Sequence, residues 1–260
     1  MVSSTHLNKK LVSVEGLDGA GKTTILNVLA QNFDFTLVLR EPGGSPLPEL
    51  LRAIIKGGPA PVNTFHLGEL SRNFLEQAVE ETDNNRLKQI LDHALSKQDT
   101  MVGEIPELPL AAREELLLFN AARAQLVEER IRPALEEGQA VLLDRFTDST
   151  IAYQGYGRGL DPQEVKENCL QATAGLLPGI TFYLKISPQT RLKRIGKRGS
   201  ADRIESSGDE FFARVAQGFN ELADSEPRFV TIDAERPLDE VKEQVLAAAV
   251  KELPSEIGRL

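Results

Sequence analysis

The stretch Gly16-Leu17-Asp18-Gly19-Ala20-Gly21-Lys22-Thr23 has the residue types and spacing of a phosphate cradle. It leaves a short apolar run, LVSVEGL (11–17), and opens a segment with helical spacing from Thr23 to Phe33. Glycines let successive backbone N–H groups turn toward one anion, and a helix N-terminus adds its positive end. Lys22 suits the outer phosphates of a nucleotide, and the Thr23 hydroxyl suits Mg²⁺. The candidate ATP-binding residues are therefore Gly16, Leu17, Asp18, Gly19, Ala20, Gly21, Lys22, Thr23 and Thr24. A phosphate-binding loop (P-loop) serves switches, motors, ligases and kinases alike. A guanine switch would want an Asn-Lys-x-Asp base reader, which the sequence lacks.

A small kinase needs a second anion site and a basic lid. Arg40-Glu-Pro-Gly-Gly and Asp144-Arg145 each follow an apolar run, at the strand ends where open α/β sheets bind ligands. Arg123 lies in a long helical segment, one turn after Phe119. Arg40, Arg123 and Arg145 could converge on one acidic group, because the guanidinium fork pairs bidentately with phosphate oxygens. For any one of them, a structural ion pair is an equally good account. The stretch RLKRIGKRGSADRIE holds Arg191, Arg194, Arg198 and Arg203, and loosens at Gly196, Gly199 and Ser200. It reads as a lid over residues 188–206 that supplies cations to the moving phosphoryl group, or as a solvated basic helix end. The stretch DRFTDSTIAYQGYGRGL (144–160) leaves its strand through a hydroxyl-rich turn.

The elements that must position these groups alternate. LVSVEGL (11–17), FTLVLR (35–40), AVLLDRF (140–146), ITFYLKI (180–186) and RFVTIDA (228–234) read as strands. Helical segments such as 23–33, 111–137 and 238–253 lie between them. This is an α/β pattern, a parallel five-stranded sheet with helices on both faces. Residues 59–108 break the alternation and read as an inserted helical hairpin. Leu67, Leu70, Phe74 and Ala78 mark one helix, Leu87, Ile90, Leu91, Ala94 and Leu95 the other, and EETDNN (80–85) the turn between. With this insertion, the chain reads as one kinase-sized domain over 1–260.

The net charge of −9 argues against a nucleic-acid surface but not against one small anion. A single cysteine, Cys169, cannot form an internal disulfide and reads as a small buried hydrophobe. No apolar run approaches a membrane span and no signal peptide is visible, so the expectation is a cytoplasmic protein without membrane or nucleic-acid partners.

EGLDGAGKTT, LREPGG, LLLFNAARAQLVEERIRPAL, DRFTDSTIAYQGYGRGL and DRIE, in this order, resemble the thymidylate kinase family of P-loop nucleoside monophosphate kinases. The resemblance covers nearly the whole chain outside 59–108. It implies transfer of a phosphoryl group from ATP to dTMP, with Mg²⁺, by a homodimer. It also implies that Phe119 stacks on the thymine, Arg123 bonds the base, and Arg40 and Arg145 bind the monophosphate. Tyr153 would crowd the sugar 2′ position, while Ser149, Thr150 and Gln154 would line the acceptor pocket. Asp18 would meet the 3′-hydroxyl and, with Thr23, the Mg²⁺ region. Gly19 stands where some members carry an arginine, which assigns phosphoryl stabilisation to Lys22, Arg145 and the lid, with Arg198 and Arg203 favoured there and Arg194 beside ATP. Ser45, Phe146 and Thr150 depart from the residues usual at their positions. A kinase for another pyrimidine deoxynucleotide such as dUMP, or a P-loop protein that binds without turnover, would share much of this pattern.

Overall fold

The computed structural model describes residues 6–56, 58–59, 69–95, 104–105, 109–196, 203–204 and 206–260. Five strands form one parallel sheet: β1 (His6–Glu15), β2 (Leu37–Arg40), β5 (Val141–Asp144), β6 (Leu176–Lys185) and β7 (Phe229–Asp233). Their order is β2-β5-β1-β6-β7, and Leu11, Val12, Ser13 and Val14 pair with Val141 to Asp144. The inner strands β1, β5 and β6 are buried on both sides over most of their length, as their continuous apolar character requires, while the edge strands β2 and β7 stay partly exposed. Val12, Val14 and Leu142 enter one core, while Leu11, Val141 and Leu143 enter a second core on the other face. Successive strand side chains point to opposite faces, so one sheet serves both cores. Gly179 of β6 has a local reason to lack a side chain: a Cβ there would lie 2.6 Å from the Lys9 backbone of β1.

α1 (Lys22–Asn32) begins straight from the P-loop and buries Ile25, Leu26 and Leu29. α2 (Pro46–Lys56) buries Leu47, Leu50, Leu51, Ile54 and Ile55, one helical face in a segment not among the expected elements. A two-residue pair, β3 (Gly58–Pro59) with β4 (Glu104–Ile105), is antiparallel. Between them run α3 (Glu69–Glu81) and α4 (Asn85–Leu95), which pack on each other, with α3 against α5. Asn84 caps α4 through its Oδ1, which accepts from Leu87 N at 3.1 Å. Phe74, Leu75, Ala78, Leu87, Ile90 and Leu91 join the main core rather than forming one of their own. Leu67 lies outside the described residues.

The long helix expected over 111–137 is three consecutive pieces: α5 (Ala112–Leu126), a π-helical turn (Val127–Ile131) and α6 (Arg132–Glu136). Pro133 contributes no N–H, and the wide turn sits immediately before it. Sequence spacing cannot separate this from one regular helix. Residues 147–157 correct the expected turn. They form α7 (Thr147–Thr150), which runs directly into a second π-helical segment (Ile151–Gly157). Side chains from this wide helix reach both the sheet end and α5. α8 (Pro162–Ala172), α9 (Pro188–Ile195), α10 (Asp209–Ser225) and α11 (Leu238–Glu252) complete the fold. Among the described residues, no helix is long and apolar enough to cross a membrane.

Candidate active site

The carboxyl ends of β1, β2 and β5 open into one cleft of about 520 Å³. Open α/β sheets bind ligands at such ends, where the strand order reverses. The P-loop leaves β1 at Gly16, whose φ of 138° and close approach to Leu184 O (2.6 Å for an added Cβ) exclude any side chain. Gly21, at φ 94°, precedes α1 and supplies no side-chain cap, so the first N–H groups of α1 are left to an anion. Lys22 is buried, with Nζ donating to Leu17 O at 3.0 Å and Gly16 O at 3.2 Å. Burial, then the charge of Arg145, pulls its ammonium down to about 8, and Asp18 only partly restores it. Asp18, Gly19, Gly21, Thr23 and Thr24 line the cleft as well, and Thr23 is exposed.

The opposite wall begins at Arg145. Its φ of 69° is rare for a residue with a side chain. It turns the chain out of β5 and brings the guanidinium onto the P-loop: Nη2 donates to Asp18 Oδ1 at 2.6 Å and Nη1 to Gly16 O at 3.0 Å. Nη1 also donates to Ser149 Oγ at 2.9 Å, and the guanidinium sits 5.1 Å from the centre of the Tyr153 ring. Tyr153 Oη donates to Asp18 Oδ2 at 3.3 Å, and edges of Phe211, Phe212 and Phe219 fix its ring. Burial alone would raise the Asp18 carboxyl, but Arg145, Lys22 and Lys56 together hold it well below the usual carboxylate range.

Glu15 lies directly beneath. It accepts from Phe146 N at 2.7 Å and from Ser149 Oγ. Burial, then the neighbouring Asp148, pushes its carboxyl up to about 8. Asp148 is paired with Arg228 at 2.6 Å, so the floor of the site is a polar network rather than an apolar core.

Arg123 is 2% exposed and fully engaged. Nε donates to Glu41 Oε2 at 2.9 Å, Nη1 to Asn120 Oδ1 at 2.6 Å and Nη2 to Thr150 Oγ1 at 2.7 Å. Phe119 is half-buried, with one side packed on the core and another lining the cleft beside Thr150, Tyr153 and Gln154. Arg40 also lines the cleft and remains exposed, with Glu49 at 3.4 Å. Cys169 is buried beside Arg123, and burial pushes its thiol up to about 12, as suits an inert core residue.

The lid arginines are dispersed. Arg191 is buried, with its guanidinium 3.2 Å from the Phe212 ring centre. Arg194 donates to Gly19 O at 3.2 Å and Ala234 O at 2.9 Å, clasping the outside of the P-loop. Arg203 donates to Ile55 O at 2.9 Å and is paired with Glu115, on the acceptor side of the cleft. Arg198 lies outside the described residues. Of the lid stretch, Ile204 lines the cleft.

Among the lining residues outside the sequence candidates, Arg52, Lys56 and Asp144 bear on the chemistry. Arg52 and Lys56 come from α2, which the spacing of Leu47, Leu50, Leu51, Ile54 and Ile55 would have revealed. Asp144 ends β5, and its buried Oδ1 has no hydrogen-bond partner among the described residues. An acidic residue closing an apolar strand opposite a P-loop is the usual metal-side partner of the loop hydroxyl. Among the described residues, no group of three or more His, Cys, Asp or Glu could hold a metal by itself. Mg²⁺ keeps several waters and takes few protein ligands beside phosphates, so Thr23 and the unpartnered Asp144 oxygen fit it.

The family model for thymidylate kinase matches residues 14–95 and 64–245. The chain is 36% identical over 245 residues to the thymidylate kinase of Legionella pneumophila (strain Corby), covering 93% of this chain and 94% of the relative. It is 40% identical over 251 residues to that of Lactobacillus helveticus (strain DPC 4571), covering 94% and 96%. The crystal structure of thymidylate kinase from Ehrlichia chaffeensis shares the fold, with a TM-score of 0.54 at 24% identity over 92% of this chain and 97% of that one. A nucleotide cradle facing an arginine- and aromatic-lined wall across one cleft, with these matches along nearly the full length, has one conclusion: the chain belongs to the thymidylate kinase family.

Proposed function

We propose that the protein phosphorylates dTMP with ATP, giving dTDP and ADP. The observation that carries this reading is that the P-loop and the wall of Arg40, Phe119, Arg123, Arg145, Thr150, Tyr153 and Gln154 line the same cleft. The P-loop amides and Lys22 hold the triphosphate, and Arg194 steadies the loop from outside. Arg145 and Arg40 hold the acceptor phosphate, with Arg52 and Lys56 adding positive charge from α2. Phe119 gives the base a stacking face, Arg123 orients Thr150 toward it, and Tyr153 crowds the sugar beside Asp18.

The acceptor is an already ionised phosphate oxygen, so no strong general base is needed. Positioning in line and charge neutralisation supply the rate. Lys22 and Arg145 stabilise charge on the moving phosphoryl group, and Arg198 and Arg203 reach it as residues 188–206 close as a lid. Thr23 and Asp144, with Asp18 nearby, would hold Mg²⁺, which when bound would neutralise phosphate charge. In this reading 59–108 is an insertion in a single kinase domain, and the protein works as a cytoplasmic homodimer.

ADP release measured over a panel of deoxynucleoside monophosphates tests the proposal. Turnover of dTMP above the others is the expected result. No turnover with any monophosphate overturns the kinase reading, and equal turnover of dUMP overturns the preference for thymine.

A further inference from the structure

Glu115 is a buried carboxylate that none of the roles above uses. It stands one turn before Phe119 on α5 and is 0% exposed. Its Oε1 accepts from Gln154 Nε2 at 2.6 Å and from Arg158 Nε at 3.2 Å. Its Oε2 accepts from Arg158 Nη2 at 3.2 Å and from Arg203 Nη2. Arg158 is itself fixed, with Nη1 donating to Ser207 Oγ at 3.0 Å and its guanidinium 4.6 Å from the Phe211 ring centre. The carboxylate is thus clamped by two guanidiniums, with one oxygen set against Gln154.

A carboxylate held in this way only accepts, so Gln154 must turn its NH₂ toward Glu115. The amide oxygen is then what Gln154 offers to the cleft it lines, and no described residue donates to that oxygen. Thr150 differs. Its oxygen accepts from Arg123 at 2.7 Å, and its hydroxyl also carries an O–H that can donate. Both line the cleft, where Gln154 offers an acceptor and Thr150 an O–H donor. A thymine or uracil ring complements them, with an N3–H beside the O4 carbonyl. A cytosine ring reverses both atoms, since its N3 accepts and its N4 donates.

We propose that Glu115 is a positioning residue for base selection: by fixing the amide of Gln154 it makes the cleft take pyrimidines with an N3–H and turn cytosine away. This rests on the phosphorylation reading above. It gives Arg158 and, in the described arrangement, Arg203 a shared task in holding the Glu115 carboxylate.

Binding and kcat/KM for dTMP and dCMP, measured on the full chain, test it. In Glu115→Gln the facing amide can offer either an oxygen or an NH₂, so Gln154 is free to turn. In Glu115→Asp the charge remains but the carboxylate withdraws by one methylene. Both variants are expected to lose preference for dTMP over dCMP by at least about tenfold, mainly through KM. The double variant Glu115→Gln, Gln154→Glu restores an obligate acceptor at position 154 and is expected to regain preference. Unchanged preference in folded Glu115→Asp, or a loss that the double variant does not recover, overturns the inference alone. A wild type that binds neither monophosphate overturns the functional reading and the inference with it.

Discussion

Arg145 Nη2 lies 2.6 Å from Asp18 Oδ1, so the residue that follows β5 is ion-paired with the P-loop. The same guanidinium reaches Gly16 O and Ser149 Oγ. It therefore acts as a brace between the two walls of the cleft as well as a candidate phosphate ligand. A lysine is a point charge and cannot keep these planar contacts together. Arg145→Lys is expected to lower kcat/KM for dTMP on the order of a hundredfold. Steady-state kinetics at saturating ATP measures this.

Lys22 gives the ATP side its own pH dependence. Its ammonium, buried and beside Arg145, titrates at about 8. Above that pH the free protein has lost the proton that the triphosphate needs, and binding must take one up. ATP affinity is expected to fall as pH rises from 8 to 9.5 in the wild type. Lys22→Met is expected to lose turnover, keep its thermal transition, and show no such fall. Calorimetric titration of ATP across this range separates the two proteins.

Phe119 tests the acceptor wall. Its half-buried ring packs on the core and lines the cleft, so both affinity and stability are at stake. Phe119→Ala is expected to weaken dTMP binding by about 1–3 kcal/mol, the scale of a lost base–aromatic stack. ATP affinity should remain. A fall in melting temperature with unchanged dTMP affinity would show that the ring serves packing alone.

Glu15 links the site floor to stability. Its carboxyl is raised from 4.5 to about 8 by burial and by Asp148. Between these values the folded protein keeps a proton that the unfolded chain releases, so this group makes stability fall as pH rises. Glu15→Gln has no proton to lose and keeps an acceptor for Phe146 N. It is expected to lose less stability than the wild type between pH 5 and pH 8, as read by urea unfolding at both values.

The sequence alone determined what is local. Gly16 to Thr23 specify a loop because glycine spacing sets backbone geometry without help from distant residues. The alternating apolar runs specify strands and helices by period, and the parallel sheet follows from that alternation. The face of α2 was equally legible in the helical spacing of Leu47, Leu50, Leu51, Ile54 and Ile55. Residues 147–157 were less so, since a π-helix carrying glycines and hydroxyls has no period that separates it from a turn. Only the tertiary structure decided the pairings. Arg145 finds Asp18 across 127 residues, Arg203 finds Glu115 across 88, and Arg123 is used up by Glu41, Asn120 and Thr150. An arginine's type states what it can bind. Which partner it meets depends on where the sheet, α5 and the helix after β5 bring their ends together, and no spacing along the chain encodes that distance.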